Sequence, residues 1–264
     1  MLHDKILASQ IGGNVISPKF KYIKRYNKII ILAPHNIKSL LNLRKLKLQF
    51  PKTQIILWWI GSDVMNISKR KQDLEFYRIF QATHLCVSEE LRIELLASGI
   101  KAKVLTLIPN DNVIEAELPE KYTVACYIPS QKPGFYNFGA FKMIAQRLPG
   151  INFILYGNKE PLECNLENVD DRGWVNGTRK VVEDSNCLLR LTDHDGFPKS
   201  IIEFMKAGRY VITNHDYPYV DITGNVDSIV EILKQEPVLD DIAKQYYMDN
   251  YYVEEFKKQL YEVF

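Results

Sequence analysis

Several protein classes are excluded by what the sequence lacks. It has only four cysteines in 264 residues, and Cys86, Cys126, Cys164 and Cys187 show no metal-ligand spacing. Three of them lie in apolar runs (HLCV, VACYI, NCLL), a pattern of buried free thiols in a reducing compartment. No apolar run approaches the roughly 18 residues of a membrane span; KIIILA and IILWWI are strand-sized. The first residues, MLHDKILASQ, lack the basic-then-apolar order of a secretion leader. Neither a solenoid-length repeat nor a low-complexity tract is visible. These gaps predict a cytoplasmic globular protein, in which Asn66-Ile67-Ser68 and Asn176-Gly177-Thr178 are glycosylation sequons by coincidence.

With 46% hydrophobic and 25% charged residues the chain is long enough for two cores. Its charge is divided. Residues 1–110 hold 18 Lys and Arg against 7 Asp and Glu, a balance of +11, and the rest hold 16 against 25, or −9, within the net +2. The basic half contains KFKYIKR at 19–25, LRKLK at 43–47 and KRK at 69–71. These are either solvated helix faces or a peripheral contact for an anionic surface such as lipid headgroups. Nucleic acid is not expected, because aromatics interleave with the basics only at Phe20, Tyr22 and Tyr26.

Apolar strand patterns alternate with helical ones almost throughout. Strands are predicted at KILAS, KIIILAP, QIILWWI, HLCV and KVLTLI, then at TVACYI, INFILYG, NCLLRLT and YVITN. Helical spacing between them includes NIKSLLNLRKLKLQF, with Ile37, Leu40, Leu41, Leu43 and Leu48 near one face. SEELRIELLASG is opened by Ser88 and closed by Gly99. Uniformly apolar strands separated by helices indicate parallel sheets covered on both faces. The expected fold is α/β, with two doubly wound Rossmann-like domains, 1–115 and 116–264, and a cleft between them. The polar stretch IPNDNVIEAELPEKY marks the boundary. The aromatic C-terminus, QYYMDNYYVEEFKKQLYEVF, reads as a helix crossing back to the first domain.

Ligands of such sheets bind beyond the carboxyl ends of strands. Gly12, Gly13, His35, Asp63 and Gly157 occupy such positions, and so does the stretch TDHDGFPKSIIEFMKAGRYVI. There Pro198 suits the first position of a helix and Gly208 its end. Asp195 lies in the turn, and Glu203 sits about a turn and a half into the helix. The first amides, at Lys199 and Ser200, face back toward the turn and form a seat for a diphosphate. On a helical wheel Ile201, Ile202, Phe204 and Met205 share an arc, while Glu203 falls opposite, beside Lys199 and Lys206. Two readings stay open on these residues: a surface glutamate paired with both lysines, or an acceptor for a vicinal diol such as ribose.

DGFPKSIIEFMKAGRYVI resembles the nucleotide-sugar motif of retaining family 4 glycosyltransferases of the GT-B fold. WWIGSDV, LIPND and NVDDRGWVN resemble further family segments in the expected order, so the resemblance covers roughly 28–264. It implies that Glu203 grips the ribose. Asp195, in place of the usual Glu, would hold the donor sugar, with Gly196, Phe197 and Pro198 admitting backbone amides. Trp174 and Val175 would lie near the base, Gly157 near the nucleotide, and Lys132 at the diphosphate. The family's Gly-Arg is absent, and YIPS (127–130) occupies that place; Lys199 and Arg209 are substitutes for the missing cation. Trp58-Trp59-Ile60 stands where the family often has a His, so His35 is the candidate at the reacting centre; His194 adjoins the donor turn as a donor-binding candidate, and Asp63 either caps its helix or touches substrate.

The implied activity is hexose transfer, with retention, from a nucleoside diphosphate sugar (GDP-mannose or a UDP-hexose) to an acceptor glycan, glycoprotein or lipid. No cofactor or metal is expected. A nucleotide-sugar epimerase and a non-catalytic nucleotide-sugar or carbohydrate-binding protein are the alternatives.

Overall fold

The computed structural model describes residues 27–34, 37–108, 113–239 and 241–263. Gly12, Gly13, His35, the KILAS strand, the 19–25 basic stretch and most of the LIPND turn lie outside them. The chain divides into two compact units. Among the described residues, unit 1 holds those up to 108, 194–197 and those from 252 on; unit 2 holds 113–193 and 198–251.

Among the described residues, unit 1 has first β1 (Lys28–Leu32), α1 (Ile37–Gln49), β2 (Gln54–Trp59), α2 (Ser62–Ser68) and α3 (Lys71–Ile79). It continues with β3 (Thr83–Cys86), α4 (Glu89–Ala97) and β4 (Lys103–Val104). All four strands are parallel, in the order β1-β2-β3-β4. The apolar run of β2 is buried from Ile55 to Trp59. Trp58 Nε1 donates to the Leu105 carbonyl at 3.1 Å, and Trp59 Nε1 donates to His84 Nδ1 at 3.1 Å. Both indoles therefore build the core. Ser88 caps α4, its hydroxyl accepting from Leu91 N, and Gly99 follows at φ +75. Leu48 is a correction: it is 83% exposed, whereas Leu43 and Leu46 of the same helix are buried. Position 48 follows 43 by 140° on a 3.6-residue wheel, far enough to leave the buried stripe.

Unit 2 holds β5 (Thr123–Tyr127), a 3₁₀ turn (Gly134–Tyr136), α5 (Phe138–Arg147), β6 (Asn152–Tyr156) and β7 (Val169–Gly173). After them come α6 (Arg179–Glu183), β8 (Cys187–Arg190), α7 (Lys199–Lys206), β9 (Tyr210–Thr213) and β10 (Asp221–Ile222). Two helices, α8 (Val226–Lys234) and α9 (Asp241–Asn250), complete it. The sheet is parallel in the order β10-β9-β8-β5-β6-β7. Chain progress runs outward both ways from the β5/β8 pair, which makes that pair the topological switch point. Cys126, Leu155 and Leu189 pack with Phe141 and Ile144 of α5 and Ile229 and Leu233 of α8. The buried arc of α7 (Ile201, Ile202, Phe204 and Met205) lies outside that cluster and lines the other face. Burial pushes the Cys126 thiol up to about 12, so it stays protonated.

The C-terminal stretch is not one helix. α9 stops at Asn250, whose Nδ2 donates to the Tyr246 carbonyl at 2.8 Å, and α10 (Val253–Val263) belongs to unit 1. There Phe256 stacks on Trp58, with ring centroids 5.9 Å apart. No helix among the described residues is long and apolar enough to cross a membrane.

Candidate functional site

In unit 2 the motif helix α7 starts at Pro198, whose φ of −72 and ψ of 131 are extended, and no side chain caps it. Glu203, one and a half turns in, is 11% exposed at its side chain. Its Oε1 lies 2.8 Å from Lys199 Nζ, and its Oε2 accepts from Thr178 Oγ1 at 2.6 Å. Lys206, the second lysine of the surface reading, is buried. A Lys four residues ahead of a Glu is the weaker order for helix stabilisation. Thr178, part of what read as a chance sequon, is the residue sequence reasoning missed.

The other sequence candidates of unit 2 lie on the loops that follow β5, β6 and β7, and on α7 itself. Gly157 follows β6 at φ +95, and a Cβ there would lie 2.3 Å from a Tyr127 ring carbon. The next residue, Asn158, is buried; its Nδ2 donates to both Asp171 carboxylate oxygens, at 2.9 and 3.0 Å. This ties the loop after β6 to β7. Trp174 is 61% exposed, with Lys159 Nζ 5.6 Å from its ring centroid, and Val175 is half-buried beside it. Lys132 is exposed, its Nζ 5.6 Å from the Phe135 ring centroid. Ser200, the second residue of α7, is half-buried.

The carboxyl ends of β8 and β9 are locked together. Asn214 Oδ1 accepts from Thr192 N at 3.0 Å, Asn214 Nδ2 donates to Thr192 O at 2.7 Å, and His215 Nε2 lies 2.9 Å from Thr192 Oγ1. This clamp fixes where the motif turn leaves the sheet. Arg209 is a correction. Its guanidinium donates to the carbonyls of Val182, Ala207, Ala116 and Glu117, and it sits at the amino end of β9, opposite the ligand-facing edge. It does not replace the missing cation.

The turn residues 194–197 group with unit 1. Asp195 Oδ1 accepts from Gly196 N at 2.9 Å. A Cβ on Gly196 would lie 2.2 Å from the Ile60 carbonyl oxygen, so glycine is required there by the approach of backbone to backbone. Phe197 is half-buried. His194 Nε2 lies 3.1 Å from both carboxylate oxygens of Glu94. Asp63, in the first turn of α2, is buried and accepts from Ile60 N and Gly61 N, at 3.1 and 2.7 Å, tying the end of β2 to that turn. Asp193 and Asp195 have Asp-x-Asp spacing, but among the described residues no group of three or more His, Cys, Asp or Glu could hold a metal.

The parallel sheets and the helix-borne carboxylate can be set beside solved structures. TarM superposes with a TM-score of 0.72 at 13% identity, over 92% of this chain and 57% of that one. HepE of Anabaena, in complex with UDP-glucose, gives 0.74 at 13% identity, over 92% and 79%. The fold is GT-B. Sucrose-phosphate synthase of Thermosynechococcus elongatus shares this GT-B likeness, with a TM-score of 0.74 at 12% identity over 92% and 74% of the two chains. No protein-family model matches the sequence, and no curated relative does either. At these identities the likeness is one of fold, and the chain spans little more than half the length of TarM.

Proposed function

We propose that the chain is a hexosyltransferase, moving sugar from a nucleoside diphosphate donor to an acceptor hydroxyl with retention and without a metal. The observation that carries this is Glu203, a carboxylate held on α7 by Thr178 and Lys199, in a domain of GT-B fold. A carboxylate fixed in this way presents oriented lone pairs to a ribose diol. The uncapped start of α7 offers amides and a partial positive charge to the phosphates. Departure of the diphosphate builds negative charge on the leaving oxygen, and fixed donors stabilise that charge without reorganisation. Lys132 is the candidate side-chain cation after β5. The resemblance assigns the donor sugar to Asp195 and the base to the loop at Trp174 and Val175. UDP-sugars are the first donors to test, since HepE is known in complex with UDP-glucose; GDP-mannose is the second. A glycan is the proposed acceptor.

Titration calorimetry with UDP tests the reading. Glu203→Gln keeps the shape and removes the charge, and UDP affinity is expected to fall about tenfold or more, the range of a charge-assisted hydrogen bond. Unchanged affinity in that variant would remove Glu203 from the site.

A further inference from the structure

The last rung of the unit 2 sheet carries groups that the motif does not use. Tyr127 of β5 pairs in register with Tyr156 of β6, and Arg190 of β8 with Thr213 of β9. Tyr127 and Arg190 each follow the paired residues Cys126 and Leu189 by one position. Side chains alternate along a strand. Since Cys126, Leu155 and Leu189 point into the α5–α8 core, the four residues of the rung point to the face that α7 covers. The centre of the rung is the β5/β8 switch point, where open α/β sheets take their ligands.

Arg190 is 7% exposed, and its guanidinium carbon lies 5.8 and 5.7 Å from the ring centroids of Tyr127 and Tyr136. Two strands away, with Tyr127 between, the Tyr156 hydroxyl is buried with no hydrogen-bond partner among the described residues, in a side chain 2% exposed. A buried hydroxyl left unpaired is costly and calls for a missing acceptor. Burial pushes the Tyr156 phenol up, so the hydroxyl keeps its proton. The rung thus holds a guanidinium and a hydroxyl donor at the carboxyl end of the sheet whose motif helix α7 carries Glu203.

We propose that Arg190 and Tyr156 form the diphosphate seat of unit 2, donating to its oxygens; this rests on the nucleotide-sugar reading above. A phosphate oxyanion suits both groups at once: it accepts from the phenol and matches the guanidinium fork. YIPS replaces the Gly-Arg expected after β5, and the cation comes from β8, the neighbouring strand, instead.

The full chain is titrated calorimetrically with UDP, uridine and inorganic pyrophosphate, as wild type and as the variants Tyr156→Phe, Arg190→Met and Glu203→Gln. Tyr156→Phe removes only an unpartnered hydroxyl, so it folds as wild type. It is expected to lose about tenfold in affinity for UDP and pyrophosphate and none for uridine, and Arg190→Met to lose about ten- to a hundredfold for the same two ligands. If Arg190→Met does not fold, Tyr156→Phe decides alone. Wild-type UDP affinity in Tyr156→Phe, or an equal loss for uridine and UDP, overturns the seat. Pyrophosphate binding that the two variants weaken, in a chain that binds neither UDP nor uridine, upholds the seat and sinks the nucleotide reading. UDP binding lost only in Glu203→Gln does the reverse.

Discussion

Thr178 Oγ1 donates to Glu203 Oε2 at 2.6 Å, linking the residue before α6 to the acidic residue of α7. With Lys199 on the other oxygen, the carboxylate is held from two sides. Thr178→Val, which keeps the shape and removes the hydroxyl, is expected to weaken UDP binding about three- to tenfold, the range of one hydrogen bond. Thr178→Ser restores it. Calorimetry on the two variants separates this positioning role from a packing role, for which serine would be no better than valine.

Gly157→Ala meets two obstacles: a backbone at φ +95 and the Tyr127 ring 2.3 Å from the added carbon. The expected loss is about 2 kcal/mol or more of stability, read from urea unfolding. Displacing Tyr127 also disturbs its contact with Arg190, so UDP affinity should fall in the fraction that remains folded.

Arg209 gives the opposite expectation. Arg209→Met leaves the carbonyls of Val182, Ala207, Ala116 and Glu117 without their donor. A loss of about 1–3 kcal/mol follows from the carbonyls left short of a donor. UDP affinity per folded molecule should stay as in the wild type, and a selective loss of affinity would return Arg209 to the phosphate site.

His84 makes unit 1 sensitive to acid. Burial holds its imidazole down to about 4, and its Nδ1 accepts from the Trp59 indole, so the folded ring is neutral. The unfolded ring takes a proton near its ordinary value of about 6.5. Stability is therefore whole above that value and is lost as pH falls toward 4, by about 3 kcal/mol in all. Denaturant midpoints measured from pH 7 to 4 should fall in the wild type and fall less steeply in His84→Gln.

The apolar strands and the motif helix were legible because their patterns are local. β2, β5, β6 and β8 are runs that only burial on both faces explains, and Pro198 and Gly208 bracket α7 in the sequence itself. β7 (VDDRG) went unread because it is an edge strand and largely polar, with neither an apolar run nor alternation to mark it. The partners of Glu203 were half legible. Lys199 follows from helical spacing, whereas Thr178 lies 25 residues away and meets Glu203 only through the fold. Arg190 did leave a signal, a charge inside NCLLRLT, but which of its neighbours would be Tyr127 depends on the strand order 8-5-6. Arg209 looked like a free cation because no sequence pattern reveals that its donors end on four carbonyls.

The stacking of Phe256 on Trp58 has a consequence for synthesis. One wall of unit 1 is written almost 200 residues after the strand it covers, with most of unit 2 in between. On the ribosome, unit 2 can close while Trp58 still lacks its lid, and a fragment ending near residue 111 should be sticky and chaperone-dependent. Expression trials of that unit should therefore supply α10 as a fused or co-expressed peptide.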